Sequence, residues 1–253
     1  MNGEYALELI ERGKRVDGRE FEEFRKIEIV PNVVKNAEGS AAVKFGETEV
    51  IAGVKLELGE PFPDTPEEGI LIVNAEFSPI ASPDFESGPP GEDAIELARI
   101  VDRGIRSSNC VKLNELCLEP GKKVWCVFID IQVINHKGNL LDASALASLV
   151  ALLNTKIPKF EGEKISRGEF EKKLPVQFKP INVSVSKIKE RFLVDPVLEE
   201  EEITEAKLSV SVREDDLICA IQKQGNGELN IEDVEKMINI AIEKSKEIRN
   251  LVG

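Results

Sequence analysis

The same order of elements occurs twice along this chain, with several strand-like segments followed by a helix. In the first half, segments rich in Val and Ile and bounded by Gly or Pro are predicted to be strands, at residues 26–30, 41–45, 49–58, 70–77 and 124–134. The apolar spacing of residues 92–107 predicts a helix, and the dense Ala, Leu and Val of residues 142–154 predict a deeply buried one.

The second half repeats this order. Strands are predicted at residues 176–178, 181–188, 207–213 and 217–222. A final helix is predicted from residue 231 to about 250, with Asn230 as its N-cap and Asp233 three positions on. Strands followed by a helix, twice over, predict sheets covered by helices, an α+β fold. We expect residues 1–253 to form one domain with approximate halves 20–155 and 175–250.

Charge and composition exclude several classes of protein. The net charge is −14, from 47 acidic and 33 basic residues, which argues against a stand-alone nucleic-acid binder and confines any RNA contact to a local basic site. No apolar run is long enough for a membrane helix, and the N-terminus lacks a signal-peptide pattern. The four cysteines form no CxxC pair, which indicates reduced thiols and a cytoplasmic protein more than a disulfide or zinc framework.

The chain contains a single histidine, His136, so no histidine-based triad or histidine-rich metal site can be built. We expect His136 to make a local hydrogen bond, and we expect no cofactor and no metal site.

Residues 135–143 form the connection between a predicted strand and a predicted helix. Such a turn directs backbone N–H groups outward and is a ready anion site. This turn keeps a glycine, Gly138, but the side chains that follow are Leu140 and Leu141, which cannot hold a phosphate. We therefore expect the two leucines to pack.

Several segments, in this order and spacing, resemble the RNase PH family of phosphorolytic 3′-to-5′ exoribonucleases. They are residues 15–19 (RVDGR), 39–42 (GSAA), 45–50 (FGETEV), 98–106 (ARIVDRGIR), 139–143 (NLLDA) and 193–196 (LVDP). The resemblance covers nearly the whole chain and is strongest to the non-catalytic ring subunit of the archaeal exosome. It implies an RNase PH-like fold, with two related βαβα-type halves packed into one compact subunit.

The resemblance also implies that no catalytic residues are present. Leu140 falls where active relatives place Ser or Thr, and Leu141 where they place the phosphate-binding arginine. Active relatives carry two aspartates six residues apart, and these positions align with Glu201 and Lys207. The surrounding acidic segment, residues 195–205, is interpreted as a solvated loop that leads into a strand.

Besides the turn at residues 135–143 and the acidic segment at residues 195–205, a third candidate site is a stripe of three arginines, Arg99, Arg103 and Arg106. Their spacing places them on one face of the predicted helix, opposite its apolar face. By themselves they are compatible with ordinary salt bridges to Glu96 and Asp102. The resemblance favours RNA contact, and we rank Arg106 and Arg103 above Arg99. With no cluster of aromatic residues for base stacking, such contact is expected to be led by phosphates.

Two further features leave alternatives open. Arg15 and Arg19 are expected to pair either with a neighbouring subunit or with Asp17, which lies between them. Trp125 is expected to be a core residue or a subunit contact.

The resemblance implies a non-catalytic structural and RNA-contacting subunit. It would alternate with a catalytic RNase PH-type exosome subunit in a hexameric ring of three heterodimers, with RNA-binding cap subunits on one face and single-stranded RNA as the substrate. The main alternative is a self-sufficient phosphorolytic exoribonuclease with a rearranged site. A third possibility is an interaction protein with no RNA role.

Overall fold

A computed structural model describes residues 3–162 and 164–252. Within the first range, six strands form one sheet in the order β1-β2-β3-β6-β4, with β5 added to β6. They are β1 (Ile27–Pro31), β2 (Gly39–Phe45), β3 (Thr48–Gly59), β4 (Ile70–Phe77), β5 (Cys117–Glu119) and β6 (Lys123–Asn135). Only β4 and β6 among these pairs are parallel, so a crossover must join them, and helix α2 (Glu92–Ser107) lies in that connection.

The second sheet belongs to the second half. In the described part of that half, its strands are antiparallel in the order β10-β9-β11-β12. They are β9 (Ile181–Ile188), β10 (Arg191–Val194), β11 (Ala206–Val212) and β12 (Ile218–Gln224). Helix α5 (Ile231–Val252) packs on β9 and β11. Asp233 N donates to Asn230 Oδ1 at 2.7 Å and Asn230 N donates to Asp233 Oδ2 at 3.3 Å, which confirms the predicted cap.

Helix α3 (Leu140–Asn154) connects the two halves. It packs on β2, β3 and α2 and also contacts β9 of the second sheet. Because it is buried on nearly every side, the deep burial predicted from its composition is confirmed. One hydrophobic cluster contains core residues of both halves, such as Val43, Leu149 and Val183. The predicted α+β class is therefore confirmed, with two helix-covered sheets that share a core.

The segment between the halves differs from its prediction. The strand predicted at residues 176–178 is wrong, because only Val176 pairs, in an isolated bridge with Val111. The segment between the two predicted halves, for which no element was predicted, contains a hairpin of β7 (Lys156–Glu161) and β8 (Lys164–Lys173). Most of the side chains of β8 are exposed, and the β7–β8 register is irregular, so these strands lack the apolar alternation that sequence patterns detect.

Short elements complete the chain. They are helix α1 (Gly3–Glu11), a 3₁₀ turn (Leu113–Leu116) and helix α4 (Leu198–Glu201). In residues 3–162 and 164–252, no helix has both the length and the apolar character required to cross a membrane.

Candidate functional site

The candidate site is built around the turn between β6 and α3. Gly138 has a φ of +89° and Asn139 a φ of +55°, so the chain passes through two left-handed residues before the helix begins. A Cβ on residue 138 would collide with the backbone of Pro196 and Val197. Only glycine fits at this position, because the turn packs directly against the segment that leads into α4.

The turn is held from one side by Arg25. Its guanidinium donates to the carbonyl oxygens of Lys137 at 2.7 Å and Gly138 at 3.1 Å, and to Asp195 Oδ1 at 2.6 Å. Asn139 Nδ2 donates to the same Asp195 oxygen at 3.0 Å. Arg25 is therefore fully engaged in supporting the backbone and is not available to grip an anion.

Asp195 is the centre of this support. Its side chain is fully buried and also accepts from Arg19 Nη1 at 3.1 Å. Burial opposes ionisation, but the hydrogen bonds and charges of Arg25, with the charge of Arg19, outweigh it and lower the pKa of this carboxyl. Asp195 is thus an ionised structural residue.

A second buried ion pair lies beside it. Arg15 Nη2 is 2.6 Å from Glu200 Oε2, and both side chains are completely buried. Arg15 therefore pairs with neither Asp17 nor a neighbouring subunit, and both alternatives expected for it are wrong. Arg19 does pair with Asp17, at 2.6 Å, which confirms one of the two alternatives expected for Arg19.

These contacts correct the interpretation of residues 195–205. The segment is not a solvated acidic loop, because it contains helix α4 and its Asp195 and Glu200 are fully buried. Sequence reasoning missed these residues because their arginine partners lie at the other end of the chain.

Leu140 and Leu141 pack as expected, with 8% and 5% of their surfaces exposed. They line a cavity of 210 Å³ with His136 and with aromatic and acidic side chains. The Phe85 ring stacks on His136 with centroids 5.5 Å apart, and Gly138 N donates to His136 Nδ1 at 3.4 Å. Burial lowers the pKa of His136, an effect that the charge of Glu201 only partly offsets, so the imidazole is neutral at pH 7.

Glu201 and Lys207 meet at the same cavity. Glu201 Oε1 lies 3.8 Å from Lys207 Nζ and accepts a hydrogen bond of 3.0 Å from the backbone N–H of Asn139. The two residues expected at the aspartate positions of active relatives are thus a carboxylate and an amine that pair with each other. Within the described part of the chain, no group of three or more Asp, Glu, His or Cys residues has a geometry that could hold a metal ion.

The arginine stripe lies on the exposed face of α2, but its members differ in their contacts. Arg106 is held by Asp102 at 2.6 Å and by the carbonyl oxygen of Leu71 at 2.9 Å. Arg103 Nη1 donates to Gln222 Oε1 at 3.2 Å. Over residues 3–162 and 164–252, Arg99 makes no hydrogen bond or ion pair.

Arg99 and Arg103 also line a shallow groove of 460 Å³, with Ile95, Glu96 and Gln222 in its walls. The groove lies between α2 and the edge strand β12. It is separate from the leucine-lined cavity except for the side chains of Glu96 and Ile100, which contribute to both.

Asp142, in the first turn of α3, is a buried residue that sequence reasoning did not single out. Its carboxyl accepts from Ser184 N at 2.9 Å, Ser184 Oγ at 2.7 Å and Asn182 Nδ2 at 2.8 Å. Burial raises its pKa, although the hydrogen bonds of Ser184 and Asn182 act in the opposite direction. This network joins the helix of the first half to β9 of the second.

Two family models match the chain in sequence. Domain 1 of the 3′ exoribonuclease family matches residues 23–158, and domain 2 of the same family matches residues 180–244.

Curated relatives match it over nearly its full length. Exosome complex component Rrp42 of Archaeoglobus fulgidus is 47% identical over 246 residues, covering 97% of this chain and 93% of that protein. The Rrp42 component of Thermococcus kodakarensis is also 47% identical, over 254 residues, with 98% and 93% covered.

Solved structures agree. A chain of the Archaeoglobus fulgidus exosome with RNA bound to the active site superposes with a TM-score of 0.94 at 46% identity, covering 99% of this chain and 97% of that one. A chain of an archaeal exosome core gives a TM-score of 0.88 at 43% identity, with 99% and 95% covered. The chain belongs to the 3′ exoribonuclease family of RNase PH-like proteins, as its sequence motifs and its fold both indicate.

Proposed function

We propose that this chain is a non-catalytic, RNA-contacting subunit of an exosome core ring. It would alternate with a catalytic RNase PH-type partner in three heterodimers, beneath RNA-binding cap subunits, in the cytoplasm. The relatives named as exosome components, and the likeness to chains of exosome structures, support membership of such a complex.

The proposal that the chain is non-catalytic rests on the turn before α3, where the groups that could bind phosphate are replaced or already engaged. Phosphorolysis requires a group that binds inorganic phosphate, and planar arginine is well suited to it. Here the first two residues of α3, Leu140 and Leu141, are buried leucines, and the N–H of Asn139 already donates to Glu201. The nearby guanidinium of Arg25 is committed to backbone oxygens and Asp195.

The acid function is also missing. A general acid must release a proton near the operating pH. The carboxyl of Glu201 is engaged by Lys207 and by the N–H of Asn139, and burial lowers the pKa of His136, so its imidazole is neutral at pH 7. The alternative of a self-sufficient phosphorolytic enzyme would have to rely on Lys207 alone to hold phosphate beside a carboxylate.

The arginines of α2 support the RNA-contacting part. Arg99 and Arg103 are exposed beside a groove, where guanidinium groups can bind the phosphates of a single strand. Since the chain carries a net charge of −14, RNA would be repelled elsewhere on its surface and held at this local stripe. From these contacts we place Arg99 and Arg103 before Arg106, whereas the sequence placed Arg106 and Arg103 first, because Asp102 holds Arg106 and Arg99 has no partner among the described residues.

A reconstitution assay tests the proposal. The chain, a catalytic RNase PH-type partner and their mixture are each incubated with poly(A) in phosphate and magnesium, and nucleoside diphosphate release is measured. We expect no release by this chain alone and greater release by the mixture than by the partner. Phosphate-dependent release by this chain alone would establish the enzyme alternative instead. If the mixture neither assembles in a mass measurement nor gains activity, the ring role is excluded.

A further inference from the structure

One carboxylate lies where the turn before α3 would receive an anion. Glu201 Oε1 accepts the backbone N–H of Asn139 at 3.0 Å. Asn139 is the residue immediately before the helix, where backbone N–H groups have no partner within the helix and favour negative charge. The Nζ of Lys207 lies 3.8 Å from the same carboxylate oxygen and adds a positive charge beside it. The chain thus fills this position with its own side chain.

The space around this carboxylate is open. The cavity of 210 Å³ lined by Leu140 and Leu141 adjoins a second one of 180 Å³, and both are lined by Glu201, Lys207 and Gln224. The second cavity is also lined by Ser186, whose Oγ is fully buried and has no hydrogen-bond partner among the described residues. A buried hydroxyl without a partner is unusual in a folded protein, and this one lies in the wall of the cavity that also contains Glu201.

We infer that Glu201 is a built-in anion that occupies the anion position of the turn and excludes inorganic phosphate from it. This inference rests on the proposed non-catalytic function and extends it. The chain is silent because a tethered carboxylate competes for the N–H of Asn139, in addition to lacking an arginine. A tethered group has a high effective concentration at its site, so free phosphate must compete with Glu201 for the N–H of Asn139.

The matched control is Glu202, the next residue along. It carries the same charge and is exposed. Glu201→Ala and Glu202→Ala therefore change the net charge equally, and only the first frees the N–H of Asn139. Glu201→Asp keeps the charge but shortens the side chain by one methylene, which withdraws the carboxylate from the turn.

Amide hydrogen exchange at Asn139 tests the inference in the full chain. We expect exchange about tenfold faster in Glu201→Ala than in the unsubstituted protein, because a charge-assisted hydrogen bond is lost. Inorganic phosphate, compared with chloride at equal ionic strength, should slow that exchange again in Glu201→Ala and leave the unsubstituted protein and Glu202→Ala unchanged. Glu201→Asp should lie nearer to Glu201→Ala, and it serves as the test if the alanine variant does not fold.

Two results would overturn the inference. One is an Asn139 exchange rate that does not respond to either Glu201 substitution. The other is protection by phosphate that is equal in the unsubstituted protein and the Glu201 variants, or absent from all of them. These outcomes are distinct from failure of the proposed function, which is measured separately as nucleoside diphosphate release by the unsubstituted chain.

Discussion

Arg15 and Glu200 form a completely buried ion pair, with Nη2 and Oε2 2.6 Å apart, although 185 residues separate them in the sequence. Removing one member of such a pair leaves an uncompensated charge in the core, which typically costs about 3–5 kcal/mol. Arg15→Met should therefore lower the free energy of unfolding by about that amount, measured by urea titration. The double substitution Arg15→Met with Glu200→Leu should cost less than the two single changes added together.

The control for this prediction is Arg12→Met. Arg12 is exposed just after α1 and pairs with Glu8 at 3.5 Å, so its loss should change stability by less than about 0.5 kcal/mol. A loss in Arg15→Met as small as in this control would show that the buried pair contributes nothing to stability.

The support of the turn by Asp195 predicts a dependence on acid pH. Because the pKa of this carboxyl is lowered in the folded state, its stabilising contribution is present above its unfolded value of about 4 and is lost as pH falls through the folded value. Asp195→Asn should flatten the acid side of a plot of unfolding free energy against pH. The exposed Asp64→Asn serves as the control, and an unchanged acid limb in Asp195→Asn would contradict the assignment.

Asp142 predicts a pH dependence of stability opposite in sign to that of Asp195. Its pKa is raised by burial, so its contribution is fully present below the unfolded value and is lost as pH rises through the folded value. Asp142→Asn stays neutral throughout, and its stability at pH 7 relative to acid pH should exceed that of the unsubstituted protein. Unfolding measured over the same pH series as for Asp195→Asn should show the two substitutions changing the slope in opposite directions. Slope changes of the same sign in the two variants would contradict the opposite pKa shifts of Asp142 and Asp195.

The arginines of α2 should differ in their effect on RNA binding by the assembled complex. Each phosphate contact to a single strand contributes about 0.7 to the slope of log affinity against log salt. Replacing both Arg99 and Arg103 with Ala should lower that slope by about 1.4 if both contact phosphate. Arg106→Ala should have a smaller effect, since its guanidinium is held by Asp102.

Filter binding or fluorescence anisotropy at several salt concentrations measures this slope. Arg12→Ala combined with Lys14→Ala, which removes two positive charges from the exposed segment after α1, is the control. The same affinity and slope in the Arg99 and Arg103 double variant and in the control would favour a scaffold with no RNA contact.

The shared core predicts that the two halves unfold together. Helix α3 contacts strands of both sheets, and one hydrophobic cluster spans both halves. Trp125 is the only tryptophan and lies buried in the first half, 2% exposed, so its fluorescence reports on that half. We expect its unfolding curve in urea to coincide with the circular dichroism of the whole chain. Two separate transitions would show that the halves behave as independent domains.

Local sequence patterns determined most of the regular elements. The strands Ile70–Phe77 and Ile181–Ile188 and the helix Glu92–Ser107 begin and end where they were predicted, because the apolar residues that each one buries are visible in its own sequence. The burial of Leu140 and Leu141 was likewise predictable, because two adjacent apolar side chains at the start of a core helix pack in the core.

What the sequence could not determine are the partners of charged residues. Nothing near Glu200 or Asp195 indicates that arginines from the first 25 residues neutralise them, and nothing near Glu201 indicates that it reaches the N–H of Asn139. An isolated charge is predicted to lie in solvent, because burial is costly unless a partner is present. Only the tertiary structure brings those partners together, so it alone decided which acidic residues are buried and which group occupies the turn.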